Sequence, residues 1–327
     1  MEFDLIEIIR ERTAQSRGDV VLGIGDDAAL LKPPAGQQLV ACTDTLVEGV
    51  HFPLGTAAQD LGWKSLAVNL SDLAAMGATP AWAMLALTMP QADPRFVEAF
   101  ADGFAQLARA HAVSLIGGDT TQGPLSITVS AFGFVPEGRA LLRAGARVGD
   151  AIFVTGTLGD AAAALRCLDR DDPRADALMS APANTREELL VRLNRPEPRI
   201  AAGLALRDFA SACIDVSDGL LADLGHICDA SGAGALVEAD ALPVSSAMLT
   251  LFDVNERRAL ALAGGDDYEL CFTASVGHAD RIAADFARLG FGASRIGRVV
   301  AEAGVHVRDA NGSMVEPPRH GWQHFAP

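Results

Sequence analysis

The chain lacks the basic surplus that a nucleic acid or an anionic membrane requires of its partner. Lysines and arginines number 26 against 42 aspartates and glutamates, a formal charge of −16, whereas counterion-release binding needs a cationic face. Phosphate ligands stay open to such a chain, provided divalent cations bridge carboxylate to phosphate. Paired cysteines are also missing. Cys42, Cys167, Cys213, Cys228 and Cys271 form no C-x-x-C pair and no zinc spacing, and an odd count suits disulfides poorly; they read as reduced thiols, mostly in cores. No apolar run approaches the ~20 residues of a membrane span. The opening Met1-Glu2-Phe3-Asp4 is acidic where a signal peptide would be basic. A cytoplasmic protein without nucleic-acid or membrane partners is expected. Two nucleotide signatures are absent as well: the Gly-x-x-x-x-Gly-Lys-Ser/Thr phosphate loop, and the Gly-rich loop with His-Arg-Asp of the protein kinases.

What is present is a chain of 327 residues, 50% hydrophobic and 21% charged, long enough for about two domains with their own cores. Apolar spacing predicts a helix over 3–17, a strand Val20-Val21-Leu22, and a short strand from Leu39 to Cys42 that delivers Thr43-Asp44 to its end. A helix follows over 57–76, with Asn69 and Asp72 on one face; that polar pair reads either as a solvated stripe or as a ligand face. Ala81 to Met89 reads as a strand, and Asp93-Pro94 as the cap and first residue of a helix. Val113 to Ile116 and Leu125 to Val135 read as further strands. The polar turn Gly145 to Asp150 marks the boundary between domains at 1–147 and 148–327. Beyond it come a strand Ala151 to Thr155, an alanine-rich helix, a Pro- and Asp-containing excursion over 169–184 expected to be mobile, and alternating strands and helices.

One pattern recurs along this frame, a turn or strand end that carries aspartate. It occurs as Gly23-Ile24-Gly25-Asp26-Asp27, Thr43-Asp44-Thr45, Ser71-Asp72, Gly117-Gly118-Asp119-Thr120-Thr121, Asp215-Val216-Ser217-Asp218 and Gly264-Gly265-Asp266-Asp267. The first invites a dinucleotide-binding reading, but Pro33-Pro34 would break the helix that reading needs. Any one such turn also reads as local structure, because Asp caps helices and makes Asx-turns; Asp93 and Asp150 belong to that class. Asp27, Asp44, Asp72, Asp119 and Asp215 instead end apolar segments or interrupt a buried helix face. Should they converge, their repulsion calls for cations, and an all-oxygen set points to Mg²⁺ rather than zinc. Glycine turns with exposed N–H groups beside it suit a phosphate chain.

Taken in order, Gly23 to Leu31, Thr43 to Phe52, Ala67-Val68-Asn69-Leu70-Ser71-Asp72-Leu73-Ala74-Ala75-Met76-Gly77, Gly117 to Thr121 and Ile214 to Leu220 resemble the thiamine-monophosphate kinase family, within the aminoimidazole ribonucleotide synthetase-like superfamily. The resemblance implies a two-domain α/β (α+β) fold, with an N-terminal mixed sheet that dimerises and a C-terminal α/β domain. It also implies ATP-dependent phosphorylation of thiamine monophosphate by a homodimer. By motif match, Asp27, Thr43, Asp44, Asp72, Asp119, Asp215 and Asp218 would hold several Mg²⁺ ions. Gly118, Asp119, Arg143 and Ser217 would contact ATP, and His51, Asp266 and Trp322 the thiamine substrate, with Asp44, Asp119 and Arg143 central to catalysis. On composition alone Arg143 also reads as a surface arginine, His51 as structural and Trp322 as a core or interface anchor. Two rivals stand beside this reading. A selenophosphate synthetase would carry a reactive Cys near its N-terminus, but the first cysteine here is Cys42; a non-catalytic nucleotide-binding dimer would bind Mg²⁺ and ATP without forming product. The chemistry needs no general base, because the nucleophile is a phosphate oxygen largely ionised near pH 7, with a second pKa of about 6.

Overall fold

The computed structural model describes residues 2–172, 174–316 and 321–322. The chain divides into two compact units, Met1–Leu73 with Ala78–Ala140, and Ala74–Gly77 with Leu141–Pro327.

The first unit opens with α1 (Glu2–Thr13) and a small antiparallel ribbon of β1 (Val20–Leu22) and β2 (Leu30–Leu31). Its main sheet has the order β3-β6-β4-β5, from β3 (Gln37–Val47), β4 (Thr79–Met89), β5 (Ser114–Gln122) and β6 (Ser126–Pro136). Only β4 and β5 run parallel, so the sheet is mixed. Helices α2 (Ala58–Ala75) and α3 (Pro94–Ala110) complete the unit. Asp93 accepts from the N–H groups of Arg95 and Phe96 with Pro94 in the first turn, the cap expected from Asp93-Pro94. One sheet face carries Leu85, Leu87, Ile127 and Val129, all buried. On that face the Cys42 thiol reaches the Asn69 carbonyl of α2 at 3.3 Å. The opposite face shows Thr43, Thr45, Met84 and Ala86 to solvent.

Two strands are longer than their apolar runs. β3 extends through Thr43-Asp44 to Val47, and β5 through Gly117-Gly118-Asp119 to Gln122, so Asp44 and Asp119 lie within strands rather than at turns after them. Cross-strand hydroxyl pairs carry these polar stretches, Thr43 with Ser130 at 2.6 Å, Thr45 with Thr128 at 2.8 Å and Thr88 with Thr121 at 3.0 Å.

The second unit holds a six-stranded sheet in the order β12-β9-β11-β7-β10-β8. Its strands are β7 (Ala151–Thr155), β8 (Ala210–Val216), β9 (Gly234–Glu238), β10 (Glu269–Ala274), β11 (Ala293–Val300) and β12 (Gly304–Arg308). Between β7 and β8 lie α4 (Asp160–Leu168), α5 (Ala175–Met179), α6 (Ala183–Asn194) and α7 (Ile200–Leu206); α8 (Leu220–Ser231) follows β8. Then come α9 (Ser246–Leu251), α10 (Val254–Ala263) and α11 (Ala279–Arg288). Ile152, Val154, Ile214, Val216, Leu220 and Leu224 share one core, and the alanines of α4 pack with Leu189, Leu193, Met248 and Phe252 in another. The stretch over 169–184 includes α5 and is tied to its surroundings, since Arg166 Nε donates to Asp172 at 2.8 Å and Arg174 Nε to Glu256 at 3.2 Å.

Helices α2 and α3 meet through glycine. A Cβ on Gly62 would stand 1.9 Å from the Phe100 carbonyl oxygen, and one on Gly103 1.8 Å from that of Gln59. Gly62→Ala therefore forces the helix backbones apart and costs about 1–3 kcal/mol. Urea denaturation should show a lower midpoint with an unchanged slope.

Candidate functional site

In the first unit, register decides which acids share a face. Asp44 stands opposite Val129, which stands opposite Leu85 and then Gly118, and adjacent rungs of a sheet project to opposite sides. Asp44 is thus directed with Cys42 toward α2. There Asp72 and Asp44 both act on the Cys42 thiol, which burial first and then these two carboxylates push far above its usual value. Asp119 belongs to the next rung, with Ala86, Thr128 and Thr45. Its carboxylate accepts from the Thr120 N–H at 2.9 Å. The Thr43 hydroxyl is on the outward face, bonded to Ser130. By register Asp44 is on the face toward α2, where it and Asp72 both act on Cys42, and Thr43 and Asp119 are on the other face.

Gly118 explains how β5 reaches this position. Its φ is +154°, and a Cβ there would lie 1.7 Å from the Leu85 carbonyl oxygen, so only glycine lets the strand approach so closely. Asp27 is exposed on the turn after Gly25, with its N–H bonded to the Asp26 carboxylate at 2.9 Å. His51 is half-buried; its Nδ1 accepts from the Val47 N–H at 2.9 Å, which leaves the proton of the neutral ring on Nε2.

The second unit gathers more of the predicted set. β8 ends in Asp215-Val216, and the turn Ser217-Asp218-Gly219 leads into α8. One oxygen of Asp223, a residue passed over in the sequence, accepts from the N–H groups of Ser217, Asp218 and Gly219 at 3.0, 3.0 and 3.1 Å. With its N–H groups so engaged, the turn has its carbonyls and side chains left for other partners. Ser217 O takes the Asp266 N–H at 2.8 Å and Asp218 O takes the Trp322 N–H at 2.9 Å. Asp215, Ser217, Asp218, Asp266 and Trp322 therefore converge on one turn, with Trp322 49% exposed. Arg143 is exposed on a loop anchored where Ser231 Oγ accepts from the N–H groups of Gly145 and Ala146 at 3.2 and 3.1 Å.

Burial first, then the charges of Asp215 and Asp218, push the Asp223 carboxyl up to about 7, against the lowering effect of its N–H donors. Crowding of this kind is what a cation relieves. Among the described residues no three His, Cys, Asp or Glu side chains form a ready-made metal centre. The acids that crowd a common neighbour offer only oxygen, Asp44 and Asp72 beside Cys42 and Asp215 and Asp218 beside Asp223. That donor set suits Mg²⁺, which keeps several waters and is commonly held by one or two carboxylates together with substrate phosphates.

Beneath the turn lies a buried ionic network that a motif search does not reveal. Glu269 is 0% exposed. It accepts from Arg199 at 2.6 and 2.7 Å, from Arg192 at 2.7 Å and from Thr155 at 2.6 Å. Burial alone would raise this carboxyl, but the two arginines hold it below its usual value. The signal available in sequence was weak, arginines in α6 and beside α7 far in the chain from Glu269.

Comparison with known proteins places these features in a lineage. Residues 25–135 match the family of AIR synthase related proteins, N-terminal domain, and residues 147–310 its C-terminal domain. The thiamine-monophosphate kinase of Salmonella typhimurium is 50% identical over 99% of this chain and 98% of its own. The crystal structure of thiamine-monophosphate kinase from Stenotrophomonas maltophilia K279a superposes with a TM-score of 0.87 at 53% identity, covering 96% of this chain and 98% of that one. AaThiL complexed with AMPPCP and TMP superposes with a TM-score of 0.76 at 32% identity, covering 99% and 97%.

The crowding at the β8 turn has a measurable sign. Because the folded chain protonates Asp223 near pH 7 and an unfolded one only near ~3.9, this group adds stability as pH falls through about 7. Asp215→Asn removes one repelling charge, so the Asp223 pKa should drop while burial keeps it above the ordinary range. A pH titration of the carboxyl ¹³C resonances reads this directly; an unmoved Asp223 would mean that Asp215 is not a source of the shift.

Proposed function

Because the chain belongs to the thiamine-monophosphate kinase family of the AIR synthase related proteins, we propose that it transfers the γ-phosphoryl group of ATP to thiamine monophosphate. A phosphate oxygen of thiamine monophosphate attacks the γ-phosphorus, the bond to the β-phosphate oxygen breaks, and thiamine diphosphate and ADP are released. The observation that carries this reading is the convergence of Asp215, Ser217, Asp218, Asp266 and Trp322 on the β8 turn. The relative bound to AMPPCP and TMP supports the same pair of ligands here.

In this reading Mg²⁺ would be held in the first unit by Asp27, by Asp44 and Asp72 on the face toward α2 and by Thr43 and Asp119 on the other face, and in the second unit by Asp215 and Asp218. When bound, Mg²⁺ neutralises phosphate charge and orients the reacting groups. Gly118, Asp119, Arg143 and Ser217 take ATP; the exposed Arg143 guanidinium offers a planar fork of donors to phosphate oxygens. His51, Asp266 and Trp322 take thiamine monophosphate, the His51 Nε2 proton serving as a hydrogen-bond donor. No residue acts as base on the nucleophile, which is already ionised.

We also assign a homodimer joined through the outward face of the first unit's sheet. The support is that this face exposes Met84 and Leu39 beside hydroxyls already paired across strands, and uncovered sheet faces with apolar groups mark contact surfaces. All five cysteines are free, in keeping with a reducing cytoplasm. Among the described residues no helix is long and apolar enough to cross a membrane.

Incubation with ATP, Mg²⁺ and thiamine monophosphate should yield thiamine diphosphate, followed by chromatography; no product under conditions where ATP binds refutes the kinase reading. Asp44→Asn should lower kcat by ~100-fold or more with little change in melting temperature, and near-normal turnover would remove Asp44 from the metal site. Met84→Lys should convert dimer to monomer in sedimentation experiments, since a lysine there would be buried without a partner.

A further inference from the structure

Asp266 and Tyr268 both have left-handed backbones, with φ of +67° and +49°, in a region that non-glycine residues enter at a cost and mostly where surrounding structure enforces it. The enforcing contacts are explicit. The Asp266 N–H donates to Ser217 O and the Tyr268 N–H to Val216 O, each at 2.8 Å. Between them, Asp267 is buried, and its two carboxylate oxygens accept from the Gly159 N–H at 2.9 and 2.8 Å. Gly265 passes so near the β8 turn that a Cβ on it would lie 2.6 Å from Ser217 O. The outcome of this twisted path is one side-chain contact. Tyr268, 7% exposed, turns back so that its phenol donates to Asp266 Oδ1 at 2.9 Å.

We propose that Tyr268 is a positioning residue for substrate, its phenol locking the Asp266 carboxylate in the orientation that receives the cationic thiazolium ring. This deepens, and rests on, the assignment of Asp266 to the thiamine substrate. The chemistry is consistent with the neighbours. Asp266 and the half-exposed residue Trp322 dock their backbone N–H groups on the same Ser217-Asp218 turn, and an anion with an aromatic face is a recurrent way to hold an organic cation. A carboxylate free to rotate would lose part of that attraction in being ordered on binding. The hydrogen bond from Tyr268 fixes it beforehand, and the left-handed backbone is what brings phenol and carboxylate together.

The test is steady-state kinetics of the full chain with Tyr268→Phe, Asp266→Asn and the double variant. Tyr268→Phe keeps the ring and removes only the donor. It should raise KM for thiamine monophosphate roughly tenfold, leave KM for ATP within about twofold and affect kcat less than KM. The double variant should be no worse than Asp266→Asn alone, because the phenol acts through that carboxylate. If Asp266→Asn raises KM and Tyr268→Phe does not, the positioning role is overturned while the Asp266 assignment stands. If Asp266→Asn leaves KM unchanged, the Asp266 assignment itself fails and the proposal with it. Equal weakening of both substrates, or additive effects in the double variant, assigns Tyr268 a structural role and also overturns the proposal. Tyr268 is the single tyrosine of the chain, so a second readout needs no substitution at that position. Its ¹³Cζ resonance should move when thiamine monophosphate is added to the wild type but not to Asp266→Asn, and an unmoved resonance in the wild type counts against the role.

Discussion

A single carboxylate oxygen on Asp223 accepts three successive backbone N–H groups, from Ser217, Asp218 and Gly219, and the candidate site of the second unit depends on it. Three converging N–H groups form a concavity that ordinarily binds an external anion. Here the chain fills it with its own acid. The consequence is electrostatic, because with the N–H groups spent the turn keeps only carbonyl oxygens and the nearby Asp215 and Asp218 carboxylates, groups that attract cations. Asp266 and Trp322 then dock by donating their N–H groups to those carbonyls. A phosphate approaching such a turn meets negative charge unless a metal ion accompanies it, which is why a net-acidic protein can use nucleotide chemistry without a basic cleft.

How much of this could be read in the sequence differs between elements and faces. The Asp93-Pro94 cap, the α2 helix with its Asn69 and Asp72, and the strand leading to Asp215 are all where local pattern put them. Strand lengths were not legible for β3 and β5, because an apolar-run criterion stops at the first polar residue while hydroxyl ladders carry the pairing onward. That error matters for the site. An acid at a strand end can turn either way, but an acid within a strand is committed to one face by the two-residue period. Chemistry alone groups Asp44 with Asp119, and only the register separates the face of Asp44, toward α2, from the face that Asp119 shares with Thr43.

Residues with a supporting role were less visible still. Asp223 has the look of an ordinary helix aspartate, and Arg192, Arg199 and Glu269 are separated by up to 77 residues, so no local motif joins them. A network of this kind is not an obvious gain in stability. Removing two arginines and an acid from water costs several kcal/mol per ion before their attraction and hydrogen bonds repay it, and well-packed apolar side chains would often do as well. Its value is better sought in geometry. Four donor contacts converge on the Glu269 carboxylate, and Arg192 also reaches the carbonyls of Thr157 and Asp267, each at 3.4 Å.

That geometry accounts for the backbone just upstream. Glu269 begins β10 immediately after Tyr268, so a strand whose first side chain is fixed by two guanidinium groups gives the preceding residues a rigid end. Asp267 ties the middle of the segment to Gly159, and the β8 turn ties its start. With both ends and the centre held, the left-handed residues between them cannot relax without breaking charged or buried hydrogen bonds, and leaving such groups unpaired costs more than the local strain. The buried charges and the unfavourable backbone are therefore two parts of one device. The first supplies the rigidity that the second requires, and what they jointly maintain is the orientation of a single half-buried carboxylate, Asp266.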